Sequence, residues 1–201
     1  MFEAIQNLAA LTRRLDAVRP VSAKLIKHDP GGGADALVTV LEEVSKTFIG
    51  FEIVLVRYLS LRFDASTRDR DQTELIFLEG GGARTMVGEF RARCHKIGSL
   101  YRSELANWFA ASPISPEEKH ELDQLFYELQ DSDENVMIPA VDELVTWLEQ
   151  EVSKTSALVG VGRFKEAADC VLAARRALAP LRRTVGRLVG ELRDLEIQFT
   201  A

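Results

Sequence analysis

The chain has few of the residues that build covalent or metal frameworks: among 201 residues there are two cysteines and three histidines. Two cysteines cannot form the disulfide framework typical of small secreted proteins. We therefore expect Cys94 and Cys170 to be reduced thiols in a cytoplasmic protein. The first residues, Met1 to Gln6, lack the basic start and continuous apolar run of a signal peptide, which agrees with that expectation.

Long apolar runs are also missing. The most apolar segment, Phe48 to Leu61, contains Glu52 and Arg57 and is shorter than the roughly 20 residues that a membrane span needs. We therefore predict no membrane-spanning helix. The net charge of −6 gives no general attraction to nucleic acid. With 46% hydrophobic and 28% charged residues, residues 1–201 have the composition of one globular domain.

Recognisable catalytic and metal-binding patterns are sparse. Glu117 and His120 have the spacing used in di-metal bundles, but no second Glu-x-x-His pair exists, and His120 is predicted to face water. Cys94 and His95 are neighbours on a predicted helix, so their side chains diverge by about 100° and cannot share a proton. We predict no catalytic residue, metal or cofactor from these patterns, and we favour a protein that is not an enzyme.

Two glycine triplets resemble each other. Each of Gly31–Gly33 and Gly80–Gly82 is followed by alanine and by the start of a predicted long helix. Backbone N–H groups at such helix starts can bind phosphate. However, neither copy has the Gly-Lys-Ser/Thr end of a P-loop or the GxGxxG of a dinucleotide fold. We favour simple helix connections over phosphate-binding loops, and the similarity is also consistent with an old duplication of helical hairpins.

The strongest positive signal is a heptad pattern near the end of the chain. Its apolar residues alternate in steps of three and four: Val171, Ala174, Leu178, Leu181, Val185, Leu188, Leu192, Leu195 and Phe199. This spacing predicts one helical stripe that packs against other helices. Pro180 lies inside the pattern, so we expect either a kinked helix or two abutting helices there.

Other apolar patterns predict further helices. A short first helix is expected to end at Pro20, and residues 19–33 are predicted to be a flexible Gly/Pro linker. A long central helix is predicted between Ala34 and Asp64, apolar on nearly every face from Phe48 to Phe63 and therefore expected to be buried on several sides. A β-hairpin formed by Phe48 to Phe63 and Leu75 to Leu78 is the alternative.

After this segment, residues 64–72 read as a charged connection and residues 73–79 as a short element of undecided type. Further helices are predicted from Ala83 towards Pro113, after the capping pattern that begins at Ser115, and around Ile138 to Val152. The fold class predicted is all-α: an elongated antiparallel bundle of about four long helices with two or three short ones.

Charge is distributed unevenly along the chain. Residues 115–154 contain twelve acidic residues and two lysines, a net of −10, whereas residues 160–190 contain seven basic and two acidic residues, a net of +5. We expect the two segments to pack side by side. On the last helix, Arg175, Arg182 and Arg193 lie on the flank of the apolar stripe, within reach of a neighbouring acidic helix, and Arg176, Arg183 and Arg187 lie on its outer side.

The outer arginines are either solvated surface or a contact for an anionic ligand. Residues 84–102 are also basic, and if that helix packs beside the last one, the two would form a continuous basic face.

Three functions remain open. The first is a non-enzymatic interaction or oligomerisation module, a homo-oligomer or an adaptor for a protein partner, with Phe48, Phe51, Leu55 and Tyr58 as its hydrophobic interface. The second is an anion-binding protein that uses Arg175, Arg176, Arg182, Arg183 and Arg187 to contact a nucleic-acid backbone, lipid headgroups or an acidic partner. The third is an enzyme or cofactor carrier with Glu52 or Arg57 in a buried site.

Overall fold

The computed structural model describes residues 2–27, 32–130, 135 and 137–200, and within them all regular structure is helical. The helices are α1 (Phe2–Lys27), α2 (Gly33–Ser60), α3 (Arg68–Phe77), α4 (Ala83–Leu100), α5 (Ala106–Ala111), α6 (Pro116–Leu129), α7 (Met137–Gly160) and α8 (Phe164–Thr200). Two π-helical turns, Leu78–Gly82 and Tyr101–Leu105, join α3 to α4 and α4 to α5. The predicted all-α bundle is confirmed.

Four helices form the centre of the bundle. α2 packs against α8 and α4, and α7 packs against the same two helices, so α4 and α8 lie at opposite corners. α4 is antiparallel to α2, because Lys96 contacts Glu43 and Arg93 contacts Thr47. It is also antiparallel to α7, because Arg84 contacts Glu149 and Cys94 contacts Asn135, just before α7. α1 packs outside this group on α8, α7 and α6. It runs parallel to α8, because Arg19 pairs with Glu191 and Ser22 bonds to Gln198.

The predicted seams form one hydrophobic core. All nine heptad positions from Val171 to Phe199 are buried on α8, a helix of 37 residues and therefore about 55 Å long. α8 is continuous through Pro180, so of the two arrangements expected there, the two abutting helices do not occur. The capping box at Ser115 and Glu118 is also present and begins α6 as predicted.

The prediction for Pro20 was wrong. α1 continues through this proline to Lys27, so residues 19–27 are helical and only residues 28–31 of the predicted linker lie outside the described residues. Proline removes one backbone hydrogen bond from a helix, which costs about 3 kcal/mol. Burial of Val18, Val21 and Leu25 on both sides of it holds the helix together.

The central segment is helical, and the alternative β-hairpin is excluded. α2 extends to Ser60, and the chain then reverses sharply at Phe63, whose φ of 55° lies in the left-handed region. The carboxylate of Asp71 accepts hydrogen bonds of 2.8 Å from the backbone N–H groups of Arg62 and Phe63. We name residues 59–71 the α2–α3 corner. Because α3 already begins at Arg68, the charged connection is shorter than predicted.

The two glycine triplets have different environments. Gly31 lies outside the described residues, Gly32 precedes α2 with a φ of 80°, and Gly33 packs so closely on Trp108 that a Cβ atom would lie 2.3 Å from the indole ring. The second triplet lies in the turn between α3 and α4, where Gly81 has a φ of 91° and breaks the helical path. The second copy therefore lies in a turn that joins two helices directly.

Candidate interaction surface

The predicted hydrophobic interface belongs to the core. Phe48, Phe51, Leu55 and Tyr58 are all buried within the chain itself. The Tyr58 hydroxyl lies 3.1 Å from that of Thr155, and burial raises the pKa of Tyr58 to about 12. These side chains follow the period that faces α8 and the rest of the bundle, so they are not a surface for a partner.

The exposed apolar residues of α2 lie on its opposite face. Ile49, Ile53 and Val56 are exposed by 43%, 55% and 42%, and their spacing of four and three residues places them on one side of the helix. We name these three residues the α2 apolar stripe. The expectation that this helix is buried on several sides was wrong for this face. Single exposed apolar residues are ordinary, so this row of three is a candidate interaction surface because its members adjoin one another.

The apolar surface continues beyond α2. Arg57 lies one turn after Ile53, and its guanidinium lies over the ring of Phe77, with its Cζ atom 4.8 Å from the ring centroid. Phe77 is itself exposed by 55%. On the other flank, Ile53 also borders a cleft of about 210 Å³ between α2 and α4 that is lined by Gly50 and Phe90.

Arg175 has a structural role that the sequence did not indicate. Its guanidinium donates hydrogen bonds to the backbone carbonyls of Leu59 and Leu61, the latter at 3.1 Å. Carbonyl groups at a helix C-terminus have no partner within the helix, so Arg175 satisfies the end of α2. It is half-buried and is not part of an exposed anion site.

The other predicted arginines lie on the surface of α8. Arg176, Arg182, Arg183 and Arg187 are all exposed, and we name them the α8 basic face. Among the described residues, no acidic side chain forms an ion pair with Arg176, Arg182 or Arg183. Arg183 donates to the backbone carbonyl of Ala179 at 3.3 Å, within its own helix.

The acidic residues of segment 115–154 form ion pairs with α1 and α4. Its carboxylates contact α1 through Arg14 with Glu128 and Lys24 with Glu118, and they contact α4 through Arg84 with Glu149. α7 does pack against α8, as predicted, but among the described residues no acidic side chain forms an ion pair with Arg176, Arg182 or Arg183. The expected reach of Arg182 to an acidic neighbour is therefore not observed.

The basic residues of α4 do not extend the α8 basic face. α4 lies at the opposite corner of the four-helix centre, with α2 and α7 between it and α8. Several of its cations are paired within the chain: Lys96 lies 2.9 Å from Glu43, and Arg93 pairs with both Glu43 and Glu89. These contacts lower the pKa of Glu43, chiefly through the hydrogen bond from Lys96 and against the effect of burial.

The residues considered for metal binding and catalysis do not form a metal or catalytic cluster in the part of the chain that the structure describes. His120 is exposed and Cys94 is buried, as predicted, and His95 is exposed. Within the described ranges there is no group of three or more metal-ligating side chains. Arg57 is exposed and pairs with Glu74 at 3.4 Å, so it does not mark a buried site. Glu52 is half-buried.

Two clefts in the surface are small. Besides the cleft at Ile53, a cleft of about 220 Å³ lies between α1 and α6, beside Val21 and Leu122. Both are below the roughly 300–1,000 Å³ of typical small-molecule sites. A larger depression of about 620 Å³ at Arg84 and Glu149 is open to solvent. In the part of the chain that the structure describes, no helix combines the length and apolarity of a membrane span.

No family model, curated protein or solved structure matches this chain. The candidate surface therefore rests on its own geometry.

The three residues of the α2 apolar stripe were not predicted to form an exposed surface. The sequence does contain its signal, because the steps from Ile49 to Ile53 and Val56 form a second helical row beside the heptad of Phe48 and Leu55. Two rows on one helix show that a second apolar face exists. They do not show which of the two the bundle covers.

Proposed function

We propose that this protein is a non-enzymatic α-helical interaction module whose binding surface is the outer face of α2. The observation that carries the proposal is the α2 apolar stripe, three large apolar side chains exposed on one face of a helix that is well packed on its other face. A regular apolar row of this kind fits the apolar face of another helix. The occupant is a second copy of this chain or a helical segment of another protein.

Ile53 is the centre of this surface and its best probe. An Ile53→Glu variant places a charge in the middle of the stripe without removing a core contact, and glutamate is a good helix former. The matched control is Val161→Glu, because Val161 is 70% exposed at the turn after α7, away from the stripe. Circular dichroism and thermal unfolding should show that both variants fold like the wild type.

The test measures solution mass by light scattering, together with the binding of amphipathic helical peptides. If a second copy occupies the surface, the wild type exceeds its monomer mass of 22.4 kDa at both low and high salt. If another protein does, the wild type stays monomeric and binds an amphipathic peptide. Ile53→Glu should abolish either behaviour and Val161→Glu should not. A monomer that binds no peptide, or binding that Ile53→Glu leaves unchanged, would overturn the proposal.

Anion binding by α8 is the second candidate. It is favoured by one observation: Arg176, Arg182 and Arg183 lie together on an exposed surface and form no ion pair with a described acidic residue. Retention on a heparin column at low salt, reduced by Arg183→Glu and unchanged by Ile53→Glu, would support this candidate over the first. A protein that passes through heparin unretained would exclude it.

A further inference from the structure

We propose that the partner of this surface is an acidic amphipathic helix that lies along the seam between α2 and α8. This inference rests on the proposed function and adds the chemistry of the partner to it. The apolar side of the partner would contact the α2 apolar stripe, and its carboxylates would contact the α8 basic face.

The two surfaces lie at the same level of the bundle. α2 and α8 are antiparallel, and Arg175 fixes their register at Leu59. Ile53 lies six residues before Leu59 and Arg182 lies seven residues after Arg175, so each is about 10 Å from that contact at 1.5 Å per residue. Ile49 and Gly186 are opposite one another by the same reasoning, one turn further along.

The two surfaces also lie on adjoining flanks. On α2, the residues that bond to α4 are Glu43 and Thr47. Ile49 and Val56 lie about 120–180° from them, towards α8, and Ile53 lies about 80–120° from them, where it also borders the cleft with α4. On α8, Arg182 is two turns after Arg175 and therefore on the flank that already reaches α2. Arg183 points about 100° further outward. The apolar row of α2 and these arginines of α8 therefore flank the same seam, although Glu52 of α2 also lies beside the row.

The charges favour this seam over the one between α2 and α4. On the α4 side, Arg93 is already held by Glu43 and Glu89, so its charge is compensated within the chain. On the α8 side, Arg182 and Arg183 have no carboxylate partner among the described residues. Arginines in that situation suit carboxylates of a partner, because charge complementarity at the border of an apolar surface gives specificity and speeds association.

The surface at Gly186 is open. A Cβ atom at this position would have no neighbour within 4 Å, so glycine is not required there by packing inside the chain. The absence of a side chain leaves room for the backbone of a partner helix to approach α8. This feature supports the seam but does not by itself identify the partner.

The inference is tested with a synthetic helical peptide of about 20 residues, with leucine on one face and glutamate elsewhere, titrated by fluorescence anisotropy. The comparison peptide has lysine in place of every glutamate. We expect the acidic peptide to bind, to bind more weakly as salt is raised, and to bind at least about tenfold more tightly than the basic one.

Four variants make the test specific. Arg183→Glu and Ile53→Glu should each weaken binding of the acidic peptide by at least about tenfold. Arg91→Glu is the matched control for charge, since Arg91 is exposed on α4 at the opposite corner of the bundle, and Val161→Glu is the control for the apolar change. Neither control should change binding.

The failures of the inference and of the proposed function are distinguishable. Equal binding of both peptides, unaffected by Arg183→Glu but lost in Ile53→Glu, overturns the acidic partner and leaves the interaction module. A salt-independent dimer that Ile53→Glu disrupts, with no peptide binding, also overturns the acidic partner and keeps the interaction module. In that case the occupant of the surface is a second copy of this chain. Binding that Arg183→Glu removes and Ile53→Glu does not overturns both. Binding to anionic phospholipid vesicles, with no binding to either peptide, also overturns both the inference and the proposed function.

Discussion

At the α2–α3 corner, charged side chains bond to backbone groups outside their own helices, whereas on the α8 basic face the arginine side chains are exposed. Arg175 and Arg176 show the contrast between neighbouring residues. The first reaches the carbonyl end of α2, and the second, 100° further round the helix, is exposed. Charges of the first kind hold the fold together, so removing them affects stability. Charges of the second kind can be changed without unfolding the protein.

The largest effect is expected at Asp71, because its carboxylate satisfies two backbone N–H groups at the sharp reversal around Phe63. Asp71→Ala leaves these donors without an acceptor, which should lower the free energy of unfolding by about 2–4 kcal/mol. The matched control is Asp69→Ala, an exposed aspartate in the same first turn of α3, with an expected change below about 1 kcal/mol. Urea unfolding measures both, and equal losses would contradict the role of the corner.

Arg175 and Arg176 provide the next comparison. Arg175→Ala removes the hydrogen bonds to the carbonyls of Leu59 and Leu61, and the expected loss is about 2 kcal/mol of unfolding free energy. Arg176→Ala should change it by less than about 0.5 kcal/mol, as is usual for exposed positions. If thermal unfolding shows the two variants to be equally stable, Arg175 does not secure the end of α2.

The corner should also be sensitive to acid. Burial by itself raises the pKa of Asp71, but hydrogen bonds from the backbone of Phe63 and Arg62, with smaller contributions from Arg70 and Thr67, hold the pKa below its usual value. A carboxyl whose pKa is lower in the folded than in the unfolded state contributes stability above the unfolded pKa, near 4, and loses it as pH falls through the folded pKa.

The stability advantage of the wild type over Asp71→Asn should therefore shrink as the pH is lowered from neutral to below about 4. Urea unfolding of both proteins across this range gives the difference directly, so that other carboxylates cancel. An advantage that stays constant with pH would mean that the charge of Asp71 plays no part.

The smallest change in the free energy of unfolding is expected on α8, and there the substitution should stabilise the protein instead of destabilising it. Gly186→Ala should raise the free energy of unfolding by up to about 1 kcal/mol, because alanine is the better helix former and its Cβ meets no neighbour. Gly33→Ala is the contrasting variant and should destabilise, since its Cβ would clash with Trp108. If Gly186→Ala unfolds at a lower temperature than the wild type, this face of α8 is packed after all.

Much of the fold could be predicted because helix periodicity is a local property. The heptad from Val171 to Phe199 and the capping box at Ser115 depend on residues a few positions apart, and both are confirmed. Pro20 was misjudged by the same kind of rule. Its local cost is real, but the stripe of Val18, Val21 and Leu25 continues across it, and burial against other helices offsets that cost.

The candidate surface could be predicted only in part. The outer position of Arg176 and Arg183 follows from the helical wheel and agrees with their exposure. The role of Arg175 does not, since its partners at Leu59 and Leu61 are more than a hundred residues away in the sequence. The interface predicted at Phe48 and Tyr58 lies in the core, because periodicity shows that a face is apolar but not what covers it.

By itself, the sequence determined the all-α class, the helices that carry long apolar seams, and the separation of acidic from basic segments, because spacing, capping and composition act over a few turns. Only the tertiary structure decided which apolar row of α2 is covered, that α4 and α8 occupy opposite corners, and which charges are paired within the chain. Those properties depend on the neighbours that each helix meets, and neighbours are set by packing between residues distant in the chain.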